Sequence, residues 1–518
     1  MERTYLERLA VNAQNIPTAT ALSAPGRPDL NYLQLYRHLQ NTMARLNQLG
    51  IGRSDAVAIV LPNGAEMATA FLSVAACASA APLNPAYQKQ EFDFYLEDLQ
   101  AAALIVAAGS PSPAIQSAKE RGIPLIELSF DPLAAAGLFE LHGEPRELMS
   151  PGGAASAEEI ALILHTSGTT SRPKMVPLSG SNILTSARNV AATLQLSPAD
   201  RCLNIMPLFH IHGLIASLLA SVYAGGSVVC TGGFSVFEFF NWLQDFQPTW
   251  YSAVPSMHQA ILSRAVDKQT LIQANPLRFI RSASASLAPQ VMQALEDTFH
   301  APVIEAYGMT EAAHQMASNP LPPQARKFGS VGPAAGPQVA IMAEDKSDLY
   351  PAGQIGEVVI RGENVMSGYR ANPEANANAF SAGWFRTGDQ GYIDSDGYLY
   401  LTGRLKEIIN RGGEKVSPRE VDEVLLDHPG VAQAVTFAVP DARLGEDVAA
   451  AVVLKDPRVT SQELRQFAAQ RLVYYKVPRQ ILILAEIPKG PTGKIQRIGL
   501  AEKLGLTAKG NPAEDKNL

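Results

Sequence analysis

Cysteine is scarce in this chain: three thiols, Cys77, Cys202 and Cys230, in 518 residues. They lie far apart, without the paired spacing of a zinc site or a disulfide framework, and read as buried or idle thiols in a reducing compartment. An excess of basic charge is also missing. The formal net charge is -7, so the electrostatic footprint of a nucleic-acid binder is absent, although small anionic partners stay open. Long apolar runs are missing too. The most apolar stretch, residues 213–230, is interrupted by Gly225-Gly226 and reads as a buried helix followed by a strand, so no membrane span is expected. The first ten residues, "MERTYLERLA", mix both charge signs and lack an apolar signal core, and the chain ends in "KNL" rather than the peroxisomal "SKL". The expected location is the cytoplasm. No repeat of fixed period is present.

What is there suits a large globular enzyme. Apolar residues make up 47% and charged residues 18%, which excludes a disordered chain, and the length predicts two to four domains. Short apolar runs alternate with helical patterns: "DAVAIVLPN" at 55–63, "AEMATAFLSVAACASA" at 65–80, "ALIVAA" at 103–108. That alternation predicts βαβ units and largely parallel sheets. From 330 to 402 the texture becomes glycine-punctuated, as in "GQIGEVVIRG" and "GYIDSDGYLYLTG", which predicts an antiparallel region with a hairpin turn at Asp396-Gly397. A second domain is expected from Gly403. There Ser417, Pro418 and Glu420 form a capping-box pattern ahead of a helix that should stop at His428-Pro429-Gly430. Strands "VAQAVTFAV" and "DVAAAVVL" follow, then a helix opened by Thr460 with Glu463 three residues on. The expected fold class is α/β: a large N-terminal domain, 1–402, of βαβ-type sheets plus an antiparallel β subdomain, then a small mobile α+β domain, 403–506, and a flexible tail, 507–518.

"HTSGTTSRPKMVPLS", residues 165–179, looks like a phosphate loop but fails the Walker pattern: Pro173 precedes Lys174, and no Ser or Thr follows the lysine. Alone it would be an ordinary polar turn between Leu164 and Val176. Hydroxyls, backbone N–H groups and a lysine can nonetheless wrap phosphate oxygens. Other segments give that reading weight: "EAYGMTEA" at 305–312, "GWFRTGD" ending at Asp389, "GRLKEIINRGGEK" from 403, and "PKGPTGKIQR" at 488–497. With these five motifs in order, the sequence from about residue 10 to 500 resembles the adenylate-forming superfamily of acyl-CoA synthetases, coumarate-CoA ligases, luciferase and peptide-synthetase adenylation domains.

The resemblance implies a role for each segment. Thr166, Ser167, Gly168, Thr169, Thr170 and Lys174 would hold the ATP β- and γ-phosphates. Thr310 would contact the α-phosphate and Glu311 would bind Mg²⁺. Tyr307 would lie against adenine, with Ser284, Ala285 and Ser286 walling the base pocket. Asp389 would accept hydrogen bonds from the ribose hydroxyls, with Arg404 alongside. Lys494 would reach the carboxylate and phosphate oxygens during adenylation, stabilising charge without transferring a proton. Lys406 would be the hinge about which the small domain rotates between two half-reactions, and Gly412 and Gly413 would line a thiol tunnel. A carboxylate would be activated by ATP as an acyl-adenylate, and the thiol of CoA would displace AMP.

The expected acyl pocket is unusually polar. It has His210 and His212 in "LFHIHG", Arg281, Ser282, Ser284 and Ser286 in "RSASAS", and His314 in "EAAHQM". So many donors suit a second carboxylate on a small acid, since a buried charge is costly without partners. His210 also has a family reading as the gate between acyl pocket and thiol tunnel. These stretches resemble the oxalate-CoA ligase branch of the superfamily, in which some members carry alanine at the position of Gly308. Other readings stay open: a medium-chain or aryl acid with His212 and His314 as supporting residues, transfer to an acyl carrier protein, luciferase-type oxygenation, or a catalytically silent nucleotide- or acyl-binding scaffold.

Overall fold

The structure, a computed structural model, describes residues 2–166, 173–344, 346–488 and 496–506. Among them, two largely parallel sheets carry the first three hundred residues. The seven-stranded one has at its centre Ala56–Val60, flanked by Ala103–Ala107 and Ser79–Pro82, with Ile160–Thr166 next and Lys174–Ser179 at one edge. Every residue of Ala56–Val60 is buried. A strand covered on both faces has no reason to alternate, which is why it reads as an unbroken apolar run.

The eight-stranded sheet orders His314–Ser318, Val303–Met309, Phe279–Ser282, Trp250–Ala253, Arg201–Asn204 and Ser227–Cys230 side by side, ending at Thr20–Ser23 and Leu30–Asn31. Trp250 and Phe279, neighbours in this register, stack at 5.2 Å. Each such fully buried large side chain contributes about 1.5–3 kcal/mol. Buried polar residues interrupt the pattern, among them Arg281, which is wholly buried in these strands.

The expected helix after residue 212 is present but wound differently. Residues His212–Leu219 form a π-helix, and Ala220–Ala224 return to α-helical winding before Gly225 ends the turn at φ +83°. Such widened turns occur mostly at functional sites. The antiparallel region is a five-stranded sheet built on Gln338–Met342, Gly356–Arg361 and Trp384–Ile393. Its hairpin turns at Gly397, φ +84°, with Asp394 accepting from the Asp396 and Tyr398 N–H groups.

Strand Leu399–Arg404 continues this sheet past residue 402, pairing Gly403 with Gln390 and Arg404 with Asp389. The next sheet begins at Ile409–Arg411 and contains the two expected strands, Val431–Asp441 and Gly445–Leu454, paired antiparallel. Helix Pro418–Leu426 starts on Ser417, whose hydroxyl accepts from the Glu420 N–H. The other half of the expected capping box is replaced, because both oxygens of the Glu420 carboxylate accept from Lys476 at 2.7 Å.

Candidate active site

Thr166 and Lys174, two of the candidate phosphate ligands, face each other in the last register pair of the antiparallel strands Ile160–Thr166 and Lys174–Ser179. Ser167, Gly168, Thr169 and Thr170 lie outside the described residues, as does Lys494. The Lys174 ammonium sits 4.6 Å from the centre of the Tyr369 ring, and the Tyr369 hydroxyl donates to Glu311 at 2.9 Å. Thr310 and Glu311 open a short 3-10 turn that follows strand Val303–Met309. Burial raises the Glu311 carboxyl above its ordinary range, and Tyr369, Arg404 and Lys174 partly oppose that. The fold thus brings Lys174 and the buried Glu311 carboxylate onto one tyrosine that sequence reasoning passed over. Its only signal was an aromatic in the glycine-containing stretch "MSGYR".

Asp389 is buried, and its oxygens take the Tyr307 hydroxyl at 2.5 Å and the Arg404 guanidinium at 3.1 Å. Its own N–H donates to Thr387. Ser284 is half-buried with a left-handed backbone, φ +72°, while Ala285 and Ser286 are exposed.

The polar residues expected at the acyl pocket cluster more tightly than their spacing suggests. His212 and His314 pack edge to face at 5.1 Å. His212 Nε2 lies 2.6 Å from Ser252 Oγ and its Nδ1 lies 3.0 Å from Ser284 Oγ. Arg281 approaches Ser252, His212 and Gln315, each at 3.4 Å, and burial lowers its guanidinium to about 10. Ser282 is on the other face of the same strand, in register with Glu305 rather than with Ser252. His210 is half-buried against Phe209. Ser252 and Gln315 were missed, although each is a polar residue inside a strand whose every residue is buried.

Backbone strain marks the same place. Ala313 and His314 both have positive φ, +48° and +106°, a conformation that costs a non-glycine residue of order 1–3 kcal/mol and gathers at functional sites. The facing Gly308 allows it, because a Cβ there would lie 1.7 Å from the His314 carbonyl oxygen.

Lys406 is exposed in the 3-10 turn Leu405–Glu407. Gly412 and Gly413 form the exposed two-residue turn between Ile409–Arg411 and Glu414–Val416, with φ of +60° and +97°. Positive φ at both positions is what such a hairpin turn demands. Arg497 reaches back to Glu407 at 3.5 Å and to the buried Asp422 at 2.6 Å.

The sequence matches the AMP-binding enzyme family over residues 9–370 and the AMP-binding enzyme C-terminal domain over residues 420–494. It is 44% identical to an oxalate–CoA ligase of Arabidopsis thaliana over 510 residues, 96% of this chain and 98% of that one. An oxalate–CoA ligase of Saccharomyces cerevisiae is 43% identical over 88% of each chain. The fold superposes on ATP-bound MatB from Rhodopseudomonas palustris with a TM-score of 0.86, at 26% identity, over 97% of this chain and 99% of that one. No helix among the described residues is long and apolar enough to cross a membrane. The chain therefore belongs to the AMP-binding enzyme family, as an AMP-forming acid–thiol ligase that uses ATP to turn a carboxylic acid into an acyl-adenylate and passes the acyl group to CoA.

Proposed function

We propose that the acid is oxalate and the product oxalyl-CoA. One observation carries this reading: a wholly buried guanidinium, two histidines and two serine hydroxyls converge where the acyl group would sit, and among the described residues no salt bridge joins Arg281 to a carboxylate. Buried positive charge without an anion is costly, and a small acid with a second carboxylate supplies the anion. A fatty or aryl group would instead leave these donors unmatched.

In the proposed mechanism one oxalate carboxylate attacks the ATP α-phosphorus. An O–P bond forms, the bond to the β-phosphate oxygen breaks, and pyrophosphate leaves. The CoA thiol then attacks the acyl carbon, a C–S bond forms, and AMP leaves with the electron pair of the broken C–O bond. Thr166, Ser167, Gly168, Thr169, Thr170 and Lys174 hold the β- and γ-phosphates, and Thr310 the α-phosphate. Tyr307, Ser284, Ala285 and Ser286 frame the base, while Asp389 and Arg404 hold the ribose. Lys494 offsets charge on the attacking and leaving oxygens, His210 gates the thiol path, and Gly412 and Gly413 leave room for the thiol arm. The unit that follows Lys406 turns about that residue between the two steps.

Glu311 fits a Mg²⁺ ion held mainly by nucleotide oxygens. It is a buried carboxylate that accepts from the Tyr369 hydroxyl, and among the described residues no group of three acidic, His or Cys side chains forms a cage for a metal, which suits the way Mg²⁺ binds through one or two carboxylates plus phosphates. When bound, the ion would neutralise phosphate charge. A phosphopantetheine arm on a carrier protein ends in the same thiol as CoA and is the alternative acceptor. A cytoplasmic setting accords with three free, buried cysteines.

The test is pyrophosphate release with ATP and Mg²⁺ across oxalate, malonate, acetate, hexanoate, octanoate, benzoate and coumarate, each with CoA, with a holo carrier protein, and with neither. Turnover confined to oxalate with CoA is the expected result. Preference for hexanoate or an aryl acid overturns the substrate, and preference for the carrier protein overturns the acceptor.

A further inference from the structure

The buried cluster has a direction, set by one group that can only donate. A guanidinium has five N–H donors and no acceptor. Arg281 Nη1 faces both Ser252 Oγ and His212 Nε2 at 3.4 Å, and Nη2 faces Gln315 Oε1 at 3.4 Å. The Gln315 amide is itself oriented: its nitrogen donates to Thr193 Oγ1 and to the Ala335 carbonyl, both at 3.1 Å, which leaves Oε1 turned to Arg281 as an acceptor. The guanidinium is thereby held on one side, and Nη1 points at Ser252 and His212.

Hydrogen accounting then settles the rest of the chain. Arg281 Nη1 can only donate, so His212 Nε2 facing it at 3.4 Å must accept, and Ser252 Oγ, 2.6 Å from the same nitrogen, gives its single hydrogen to Nε2. With both a guanidinium and a hydroxyl donating toward it, Nε2 carries no hydrogen. The ring hydrogen is on Nδ1, which donates to Ser284 Oγ at 3.0 Å. Ser284 is half-buried, and its oxygen is now used as an acceptor, so its own O–H is left as a donor. Among the described residues, the His314 ring packs against His212 at 5.1 Å and the Arg281 guanidinium faces the His212 ring at 3.4 Å.

We infer that Arg281 and Ser252 are positioning residues that fix His212 in its Nδ1–H form, so that the relay Arg281 to Ser252 to His212 to Ser284 ends in a donor aimed at the acid. This deepens the oxalate reading and rests on it for the identity of the ligand. A carboxylate oxygen only accepts. The opposite tautomer would place a hydrogen against the guanidinium and turn the relay around, presenting acceptors to an anion. The wholly buried arginine, otherwise an unpaired expense, becomes the source of the polarity.

The experiment uses the full chain labelled with ¹⁵N-histidine and no substrate. The His212 signal, identified by its loss in His212→Gln, should show a protonated Nδ1 and a bare Nε2 near pH 7. A protonated Nε2 overturns the relay whatever the enzyme's substrate. In parallel, Ser252→Ala should raise KM for oxalate about tenfold or more while KM for ATP stays within about twofold, because the orientation of the donor to the anion is lost while Ser252 itself is not among the residues that frame the nucleotide. Arg281→Met should do more and Arg281→Lys less. Should Arg281→Met fail to fold, Ser252→Ala and the ¹⁵N signal still decide. An unchanged oxalate KM in Ser252→Ala overturns the relay. A Nδ1–H signal in an enzyme that prefers another acid supports the relay and removes only the oxalate reading.

Discussion

The Tyr307 hydroxyl donates at 2.5 Å to one oxygen of Asp389 while Arg404 holds the other at 3.1 Å, so one buried carboxylate joins the strand Val303–Met309 to the antiparallel sheet and its last strand. Burial and the adjacent carboxylate raise the Tyr307 hydroxyl far above its ordinary range, which keeps it a donor. Asp389→Ala should raise KM for ATP about tenfold or more if the carboxylate holds the ribose, and should cost about 1–3 kcal/mol because a buried hydroxyl loses its partner. Tyr307→Phe removes the same hydrogen bond and keeps the carboxylate for the nucleotide, so its ATP KM should shift less than about threefold. Equal KM effects in the two variants would detach Asp389 from nucleotide binding.

Glu305 makes stability depend on pH. It is buried beside Ser282 in the register, accepts one N–H bond from Leu287 at 3.0 Å, and burial raises its carboxyl to about 7 from an ordinary 4.5, against the opposing pull of that N–H group and Arg419. Folding therefore binds a proton more tightly. The stability this contributes is complete below the ordinary value and is lost as pH rises through about 7. Glu305→Gln keeps an acceptor for Leu287 and never ionises. Its stability relative to the parent should improve between about pH 5 and about pH 8, by up to about 3 kcal/mol, read as a shift in urea midpoint. Parallel midpoints at the two pH values would mean that Glu305 is ionised throughout.

Gly308 and His314 test how much the pocket depends on its strained edge. A Cβ at 308 would need to displace the His314 carbonyl, 1.7 Å away, which is backbone and not a flexible tip. Gly308→Ala should cost about 1–3 kcal/mol, as overpacking does. It should also raise KM for the acid more than KM for ATP, since the displaced residue is His314. A variant with parental thermal stability and an unchanged acid KM would show that the hairpin shifts freely here.

How much of this was legible in the sequence depends on whether the deciding neighbour is near along the chain. Strands such as Ala56–Val60 were readable because burial on both faces imposes an apolar run. The turn at Gly397 was readable because its demand on φ is local. The capping box at Ser417 was half right, since the partner that draws Glu420 away is Lys476, on another element. The π-winding of His212–Leu219 has no sequence signal, because Leu, Ile and Ala serve α- and π-helices alike. In the pocket, His212 and His314 stood out as polar residues among apolar ones. Ser252 did not, because a serine in a strand is unremarkable until Arg281 arrives in register beside it. The opposite facing of Arg281 and Ser282 follows from the two-residue period of a strand, and was readable once Phe279–Ser282 was known to be one.

Lys406 is flanked by two ion pairs that pull in different directions. Two residues before it, Arg404 is bound to Asp389 of the antiparallel sheet; one residue after it, Glu407 is bound to Arg497, which is bound in turn to Asp422 on helix Pro418–Leu426. The backbone left between these anchors is residues 405 and 406, so a rotation of the unit beyond them must be absorbed there. Proline at 406 fixes its own φ and restricts Leu405 as well. If the enzyme uses two arrangements of that unit, Lys406→Pro should hold it in one of them. Overall CoA-dependent turnover should then fall by about a hundredfold or more, while one half-reaction, either pyrophosphate release from ATP and acid or CoA-dependent consumption of preformed acyl-adenylate, persists within about threefold. Measuring the two half-reactions separately distinguishes this from simple damage to the site, which would lower both. Lys406→Ala leaves φ free and should spare both. Equal loss of both half-reactions in Lys406→Pro, or none in either, would place the moving bond elsewhere and return Lys406 to an ordinary exposed turn.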